Sequence, residues 1–158
     1  MAAAVVILKG HPVPHEEKIY RALNPKHLEN GLPGENHFVM KQNHASDDGV
    51  STGLASLISV KELRSIEVLT QLLGASFGVA ELLVSEAIAP VATLGITVLQ
   101  QDDPAWGAHA GAHAIITGYQ ALKGREGKRK IQDFQRHLVR LARRRYYPSG
   151  SDFAVSAE

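Results

Sequence analysis

Two histidines of this chain could act together in acid–base catalysis. His37 and His113 each fall on a predicted strand, and Arg21 or Ser51 could stabilise negative charge beside them. Near pH 7 one imidazole can be neutral while the other is protonated, so the pair can serve as general base and general acid. A site built from His37, His113 and Arg21 could cleave RNA or another phosphodiester without a metal ion, provided that folding brings these residues together.

A second pair of histidines has the spacing of a metal site. His109 and His113 form an H-x-x-x-H pattern, which on a helix places two imidazoles on one face, and Asp102 or Asp103 could add a carboxylate. The residues between the histidines are Ala-Gly-Ala, and further glycines flank them, which disfavours a helix. The pattern therefore favours one histidine in a loop and one on a strand, and no metal site is favoured.

The polar segment at residues 47–52 reads Asp-Asp-Gly-Val-Ser-Thr. The alternating oxygen ligands and final Glu of a calcium loop do not follow, and both Gly-rich nucleotide-binding motifs are missing from the sequence. We interpret the segment as a tight turn, and the sequence indicates no cofactor.

Arg21 falls on an early core strand, and Ser51-Thr52 falls on a later one. This order is similar to the arginine-and-serine pattern of ADP-ribosyltransferases, and the resemblance covers only these residues. It implies an ADP-ribosyltransferase-like activity as one further enzyme option. The chain departs from that family because no Glu-x-Glu or Gln-x-Glu follows on a predicted strand.

Basic residues are concentrated near the C-terminal end of the sequence. Residues 1–122 carry 7 Lys and Arg against 12 Asp and Glu, whereas residues 123–158 carry 10 against 4. Cations on the outer face of a helix over 125–146 could neutralise phosphates along a nucleic-acid backbone, or could instead pair with the acidic body of the same molecule. The residues expected to bind nucleic acid are Arg129, Lys130, Arg136, Arg140, Arg143, Arg144 and Arg145.

The leading hypothesis is therefore a small binding module that contacts nucleic acid or another polyanion through this basic helix. The alternatives are a histidine-dependent enzyme, nuclease-like, phosphoryl-handling or ADP-ribosyltransferase-like, and a structural subunit that docks on an acidic protein or on a second copy of the chain. The sequence contains no cysteine, which excludes disulfides and thiolate catalysis and fits a cytoplasmic location. No segment has the roughly 20 unbroken apolar residues of a membrane span, so no membrane partner is expected.

The first half of the chain should contain several short strands. They are expected at residues 1–8, 18–23, 37–41 and 50–58, the last two forming a hairpin across a loop at 42–49. Asn24-Pro25 predicts one or two helical turns that end near Gly31. Ser59 and Glu62 have the spacing of a capping box, which predicts that a helix begins there.

That helix should bury Leu63, Ile66, Leu69 or Thr70, and Leu73, and should end at Gly74. A second helix is expected over 77–89, strands over 93–99 and 112–117, and a last helix over 125–146 with an apolar face of Ile131, Phe134, Leu138 and Leu141.

Strands occur both in a run and separated by helices, which favours the α+β class. We expect a mixed or mainly antiparallel sheet covered by two central helices, plus the basic C-terminal helix. Residues 1–147 should form a single domain, and residues 148–158 should form a mobile tail.

Overall fold

The computed structural model describes residues 5–45, 47–70 and 77–157. The strands are β1 (Lys18–Leu23), β2 (Val50–Leu54), β3 (Gly78–Leu83), β4 (Thr97–Gln100), β5 (His113–Thr117) and β6 (Tyr146–Tyr147). The α-helices are α1 (Val60–Thr70), α2 (Val84–Ile88) and α3 (Gly124–Arg144), and 3-10 helices lie at Pro25–His27, Glu35–Phe38, Ala92–Leu94, Pro104–Ala112 and Tyr119–Ala121.

The strands form one antiparallel sheet in the order β4-β5-β2-β1-β3-β6. The fold belongs to the α+β class, as the sequence predicts. Among the described residues, no helix combines the length and the apolar character required to cross a membrane.

The two central strands separate from each other along part of their length. β1 pairs with β2 only at Ile19–Leu54 and Tyr20–Gly53. Beyond these pairs β1 continues beside β3 alone, and the first residues of β2 pair with β5 alone. We call the space between residues 21–23 of β1 and residues 50–52 of β2 the split.

Apolar side chains cover both faces of the sheet. On one face the buried residues of α2 and α3 pack against alternate residues of β1, β2 and β3, and α3 contributes Ile131, Phe134 and Leu138. On the other face α1 packs with the 3-10 helix Pro104–Ala112, where Leu63 and Trp106 belong to one apolar cluster. The split therefore has a helical layer on each side.

Several predicted elements are confirmed at the residue level. β1 has its predicted bounds, β5 begins one residue later than predicted, and α3 buries its four predicted apolar positions. The amide of Glu62 donates to Ser59 Oγ at 3.1 Å, and the amide of Ser59 donates to Glu62 Oε1 at 3.0 Å, which completes the capping box. Asn24 caps a single 3-10 turn through the amide of Lys26.

Other predicted elements are wrong. Residues 5–8 form no strand, and Val6 and Leu8 are exposed, while residues 1–4 lie outside the described ranges. The segment 37–41 lies partly in a 3-10 helix, and β2 pairs with β1 and β5 instead of forming a hairpin with it. The predicted strand 93–99 starts at Thr97, because a 3-10 turn and Gly95 with φ of 82° come first.

The predicted helix 77–89 is a strand as far as Leu83, and only Val84–Ile88 is helical. Nearly every residue of β3 is buried, since both faces of the sheet are covered there. An apolar run that is buried on both sides shows no alternation, so its spacing cannot distinguish a strand from a helix. Leu69 at the end of α1 is exposed, and Leu73 and Gly74 lie outside the described residues.

The C-terminal segment lies against α1 and β6. Arg64 of α1 donates from Nε to the carbonyl of Phe77 and from Nη2 to that of Pro148, each at 3.1 Å. Val155 forms an antiparallel bridge with Tyr146. The bond from Arg64 joins this segment to α1 at Pro148, and the bridge at Val155 joins it to β6.

Packing of α3 on the sheet should dominate the stability of the fold. We expect Phe134→Ala to lower the free energy of unfolding by about 3–5 kcal/mol, because the ring is 1% exposed and its removal leaves a cavity. The matched control is Phe153→Ala, since that ring is 79% exposed. Urea unfolding of both variants checks the prediction, which is wrong if they lose similar amounts of stability.

Candidate active site at the split of the sheet

Arg21 lies in the split, where backbone carbonyls of two other segments hold it. Its Nε donates to the carbonyl oxygen of His37 at 2.8 Å, and its Nη1 donates to that of Ser51 at 2.9 Å. A guanidinium has five N–H groups, so three remain, and these have no acceptor among the described residues. Burial lowers the pKa of Arg21, and the charge of Glu67 opposes that shift. Arg21 is thus a fixed cation with unused donors.

Ser51 and His113 form a hydrogen-bonded pair beside Arg21, on the adjacent strands β2 and β5. Ser51 Oγ lies 2.8 Å from His113 Nε2, and His113 Nδ1 lies 2.7 Å from the carbonyl oxygen of Gln101. Because a carbonyl only accepts hydrogen bonds, Nδ1 carries the proton. Burial lowers the pKa of His113, which favours the neutral ring. Its Nε2 then accepts a hydrogen bond from the Ser51 hydroxyl, the arrangement of a serine activated by an oriented imidazole.

His37 has the opposite tautomer and different surroundings. The amide of Gly34 donates to its Nδ1 at 3.0 Å, and its Nε2 lies 2.9 Å from the carbonyl oxygen of Asn24, to which it donates. Burial lowers the pKa of His37; the hydrogen bond to Asn24 opposes this shift, and the positive charge of Arg21 adds to it. Both ring nitrogens are therefore engaged by the backbone, and the connection of His37 to the site is its own carbonyl, which binds Arg21.

A buried carboxyl group of α1 interacts electrostatically with the same cation. Glu67 is 3% exposed, and its Oε2 has no hydrogen-bond partner. Burial raises the pKa of Glu67; the positive charge of Arg21 opposes this shift, and the negative charge of Asp103 adds to it. Glu67 is thus within electrostatic range of both charged side chains.

Trp106 encloses the pair from the side of α1. Its ring centroid lies 4.8 Å from that of His113, with the planes 75° apart. Gly53 is the register partner of His113, and a Cβ at that position would lie 3.1 Å from Ile58 Cγ2 and 3.6 Å from the Trp106 ring. A glycine therefore permits the close approach of the indole, which shields the imidazole from water.

The residues considered for a metal site have separate partners. His109 Nε2 pairs with Glu62 Oε2 at 3.1 Å, Asp102 Oδ2 pairs with Lys9 Nζ at 2.7 Å, and His113 is bonded to Ser51. Within the ranges that the structure describes, no group of three or more His, Asp or Glu side chains could hold a metal ion.

Several arginines of the basic helix pair with acidic residues of the same molecule. Arg136 contacts Glu35 at 3.2 Å, and Arg143 contacts Glu29 at 3.2 Å. Further pairs are Arg145 with Glu81 at 2.5 Å and Arg129 with Glu126 at 3.4 Å. Arg144 is exposed and also has an interaction within the protein.

Other cations of the same helix have no carboxylate partner among the described residues. These residues are Arg125, Lys128, Lys130 and Arg140. The amides of α3's first turn also lack a side-chain cap, because Lys123 is at the N-cap position. The free positive charge is thus greatest in the first half of α3.

Sequence reasoning missed Glu67, Gln101 and Trp106 as parts of this site. Gln101 contributes only its carbonyl, for which residue type gives no signal. Glu67 did leave a signal, because it follows Leu63 by four residues and so lies on the buried face of the predicted helix.

We expect the folded protein to lose stability as the pH falls below about 6.5. Unfolded histidines bind protons there, whereas His37 and His113 resist protonation because burial lowers their pKa values. His113→Gln should therefore lose less stability than the wild type between about pH 7.5 and 5.5. The raised pKa of Glu67 has the opposite effect, because it adds stability to the folded state as the pH falls. This effect is present in both the wild type and His113→Gln. Urea unfolding across this range, with exposed His11→Gln as the control, checks the prediction, and equal losses in wild type and His113→Gln contradict it.

Comparison with known proteins assigns no family to this arrangement. No family model matches the chain, and neither the curated proteins nor the solved structures give a significant match.

Proposed function

We propose that the split is the active site of an enzyme that resembles ADP-ribosyltransferases and binds the pyrophosphate of a dinucleotide such as NAD. The observation that carries this proposal is the hydrogen bonding of the Arg21 side chain. Its guanidinium is fixed by the carbonyls of His37 and Ser51 and retains three N–H donors between the separated strands.

A fixed guanidinium suits a phosphate group for two reasons. Its planar N–H groups match two oxygens of one phosphate at once, which a lysine cannot do. The two carbonyl bonds also hold the side chain before the ligand arrives, so that less conformational entropy is lost on binding. Arg21 would therefore bind and orient the anionic part of the substrate.

The Ser51–His113 pair would supply the proton transfer. In ADP-ribosyl transfer the bond from ribose C1′ to the nicotinamide nitrogen breaks, and nicotinamide leaves with the electron pair. A hydroxyl oxygen of an acceptor or of water then bonds to C1′ and gives up its proton. His113 Nε2, held neutral by burial and oriented by the Gln101 carbonyl, is the base that would take this proton, with Ser51 positioning the hydroxyl.

The candidate site differs from the ADP-ribosyltransferase pattern in the residue that would act as the base. The strand beside Ser51 carries His113 and no Glu-x-Glu, so this site would rely on an imidazole. His37, which the sequence suggested as the second histidine of an acid–base pair, would serve here through its carbonyl. Cleavage of a phosphodiester by Ser51, His113 and Arg21 is the competing reaction.

We expect the wild type to bind ADP-ribose and to release nicotinamide from NAD. Arg21→Lys should weaken ADP-ribose binding about tenfold or more, because a lysine cannot form the bidentate hydrogen bonds that an arginine makes with a phosphate. His113→Gln should lower kcat about 100-fold, because the proton acceptor is removed. Calorimetry measures the binding, and chromatography measures the nicotinamide.

Arg143→Lys is the matched control, since Arg143 is also a half-buried arginine that donates to a backbone carbonyl, that of Pro33, but lies outside the split. It should leave binding and turnover close to those of the wild type. A folded wild type that binds neither ADP-ribose nor NAD would refute the proposal. RNA cleavage that depends on His113 would favour the phosphodiester reaction instead.

A second candidate function is the binding of nucleic acid through α3. The observation that favours it is the set of cations without carboxylate partners in and near the first half of the helix. Lys41 and Lys128 also line one groove of about 390 Å³ together with amide side chains. Their charges are available to phosphates, whereas the charges of Arg136 and Arg143 are already compensated within the protein.

We expect the triple substitution Arg125→Gln, Lys128→Gln and Lys130→Gln to weaken binding to duplex DNA and to RNA alike. For each phosphate that a substituted cation no longer neutralises, the slope of log K against log salt should fall by about 0.9 on duplex DNA. The matched control changes the paired residues Arg129, Arg136 and Arg143 to Gln and should reduce the slope less. Fluorescence anisotropy over a salt series measures both, and the prediction fails if the control triple reduces the slope as much. A chain that binds no nucleic acid but associates with itself or with acidic proteins at low salt would contradict this function.

A further inference from the structure

Glu67 is an exception among the buried polar side chains of the described residues. Its Oε2 is the one buried side-chain oxygen or nitrogen there that lacks a hydrogen-bond partner. Glu17 is equally buried at 3% exposure and provides the contrast. Its Oε1 accepts from the amide of Lys18, and its Oε2 accepts from the amide and the hydroxyl of Ser56.

An unpartnered buried carboxyl oxygen opposes folding, because it gives up its bonds to water and nothing replaces them. An apolar residue would suit the same position on α1 better, since Leu63 and Ile66 beside it are buried in an apolar cluster. A group of this kind, kept at the expense of stability, is typical of a binding site that a ligand completes. Glu67 is thus suited to accept a hydrogen bond from a bound ligand.

The charges around Glu67 restrict the chemistry of that ligand. Arg21 is close enough to lower its pKa, so a cationic donor at the same place would be repelled by the guanidinium. A neutral donor carries no such penalty. In a dinucleotide bound at Arg21 by its pyrophosphate, the hydroxyls of the attached riboses are the neutral donors nearest to the phosphates.

We infer that Glu67 recognises a ribose hydroxyl of the nucleotide whose pyrophosphate Arg21 binds. The hydroxyl donates to Oε2 and satisfies the oxygen that folding leaves without a partner. This inference rests on the proposed function and adds to it a residue of α1 that selects ribose over deoxyribose. The hydrogen bond from the ribose hydroxyl to Glu67 Oε2 would also connect α1 to the ligand.

The test combines stability with ligand binding in the full chain. Glu67→Met keeps the length of the side chain and removes its polarity. We expect the free variant to melt at a higher temperature than the wild type, while its affinity for ADP-ribose falls about tenfold or more. Glu67→Gln, whose amide oxygen can still accept from a hydroxyl, should bind more tightly than Glu67→Met.

The ligand series consists of ADP-ribose and analogues that each lack one ribose hydroxyl. In the wild type one of these analogues should bind about tenfold more weakly than ADP-ribose, and in Glu67→Met that difference should disappear. Glu17→Met is the matched control, and it should melt at a lower temperature because Glu17 has its partners within the fold.

Three results would overturn the inference. Glu67→Met could melt at a lower temperature, which would show a structural role. It could keep the wild-type discrimination among the analogues, which would place the hydroxyl elsewhere. A folded wild type that binds ADP-ribose no better than Arg21→Lys would refute the proposed function itself, and this assignment with it.

Discussion

The arrangement of the candidate site depends on the two hydrogen bonds by which Arg21 spans the split. One of its acceptors belongs to β2 and the other to the 3-10 helix that carries His37. Where the strands stop pairing, this side chain replaces part of the missing backbone ladder with hydrogen bonds of its own. The guanidinium therefore stabilises the two strands where they separate and places a positive charge in the split.

The rest of the molecule holds the residues around the split in place. The antiparallel pairing of β2 with β5 brings Ser51 beside His113 although they are 62 positions apart in the chain. The apolar layers on the two faces fix α3 on one side and α1 with Trp106 on the other. Because the imidazole is buried and bonded at both nitrogens, its orientation is determined before any ligand binds.

Short sequence patterns correctly predicted the elements that depend only on residues close together in the chain. The capping box at Ser59 was sufficient to predict the start of α1, and the apolar spacing was sufficient to predict α3. Each pattern depends on residues within one or two helical turns. The strand at residues 78–83 could not be distinguished from a helix, because its burial on both faces comes from the tertiary fold. Arg21, Ser51 and His113 were recognisable by residue type, but their meeting depends on strand order and register, which no local pattern contains. The absence of a hydrogen-bond partner for Glu67 Oε2 also results from the tertiary fold, so no local pattern could show it.

The bond between Arg64 and the C-terminal segment extends the site's dependence beyond the sheet. Arg64 precedes Glu67 by three residues, so the two side chains leave the same helix about one turn apart. Arg64 is bonded to the carbonyl of Pro148 and lies 3.5 Å from Asp152. A molecule that displaced residues 148–152 would remove both contacts and loosen the helix that carries the unpartnered carboxyl. Residues 148–152 thus help to hold α1, and with it Glu67, in place beside the split.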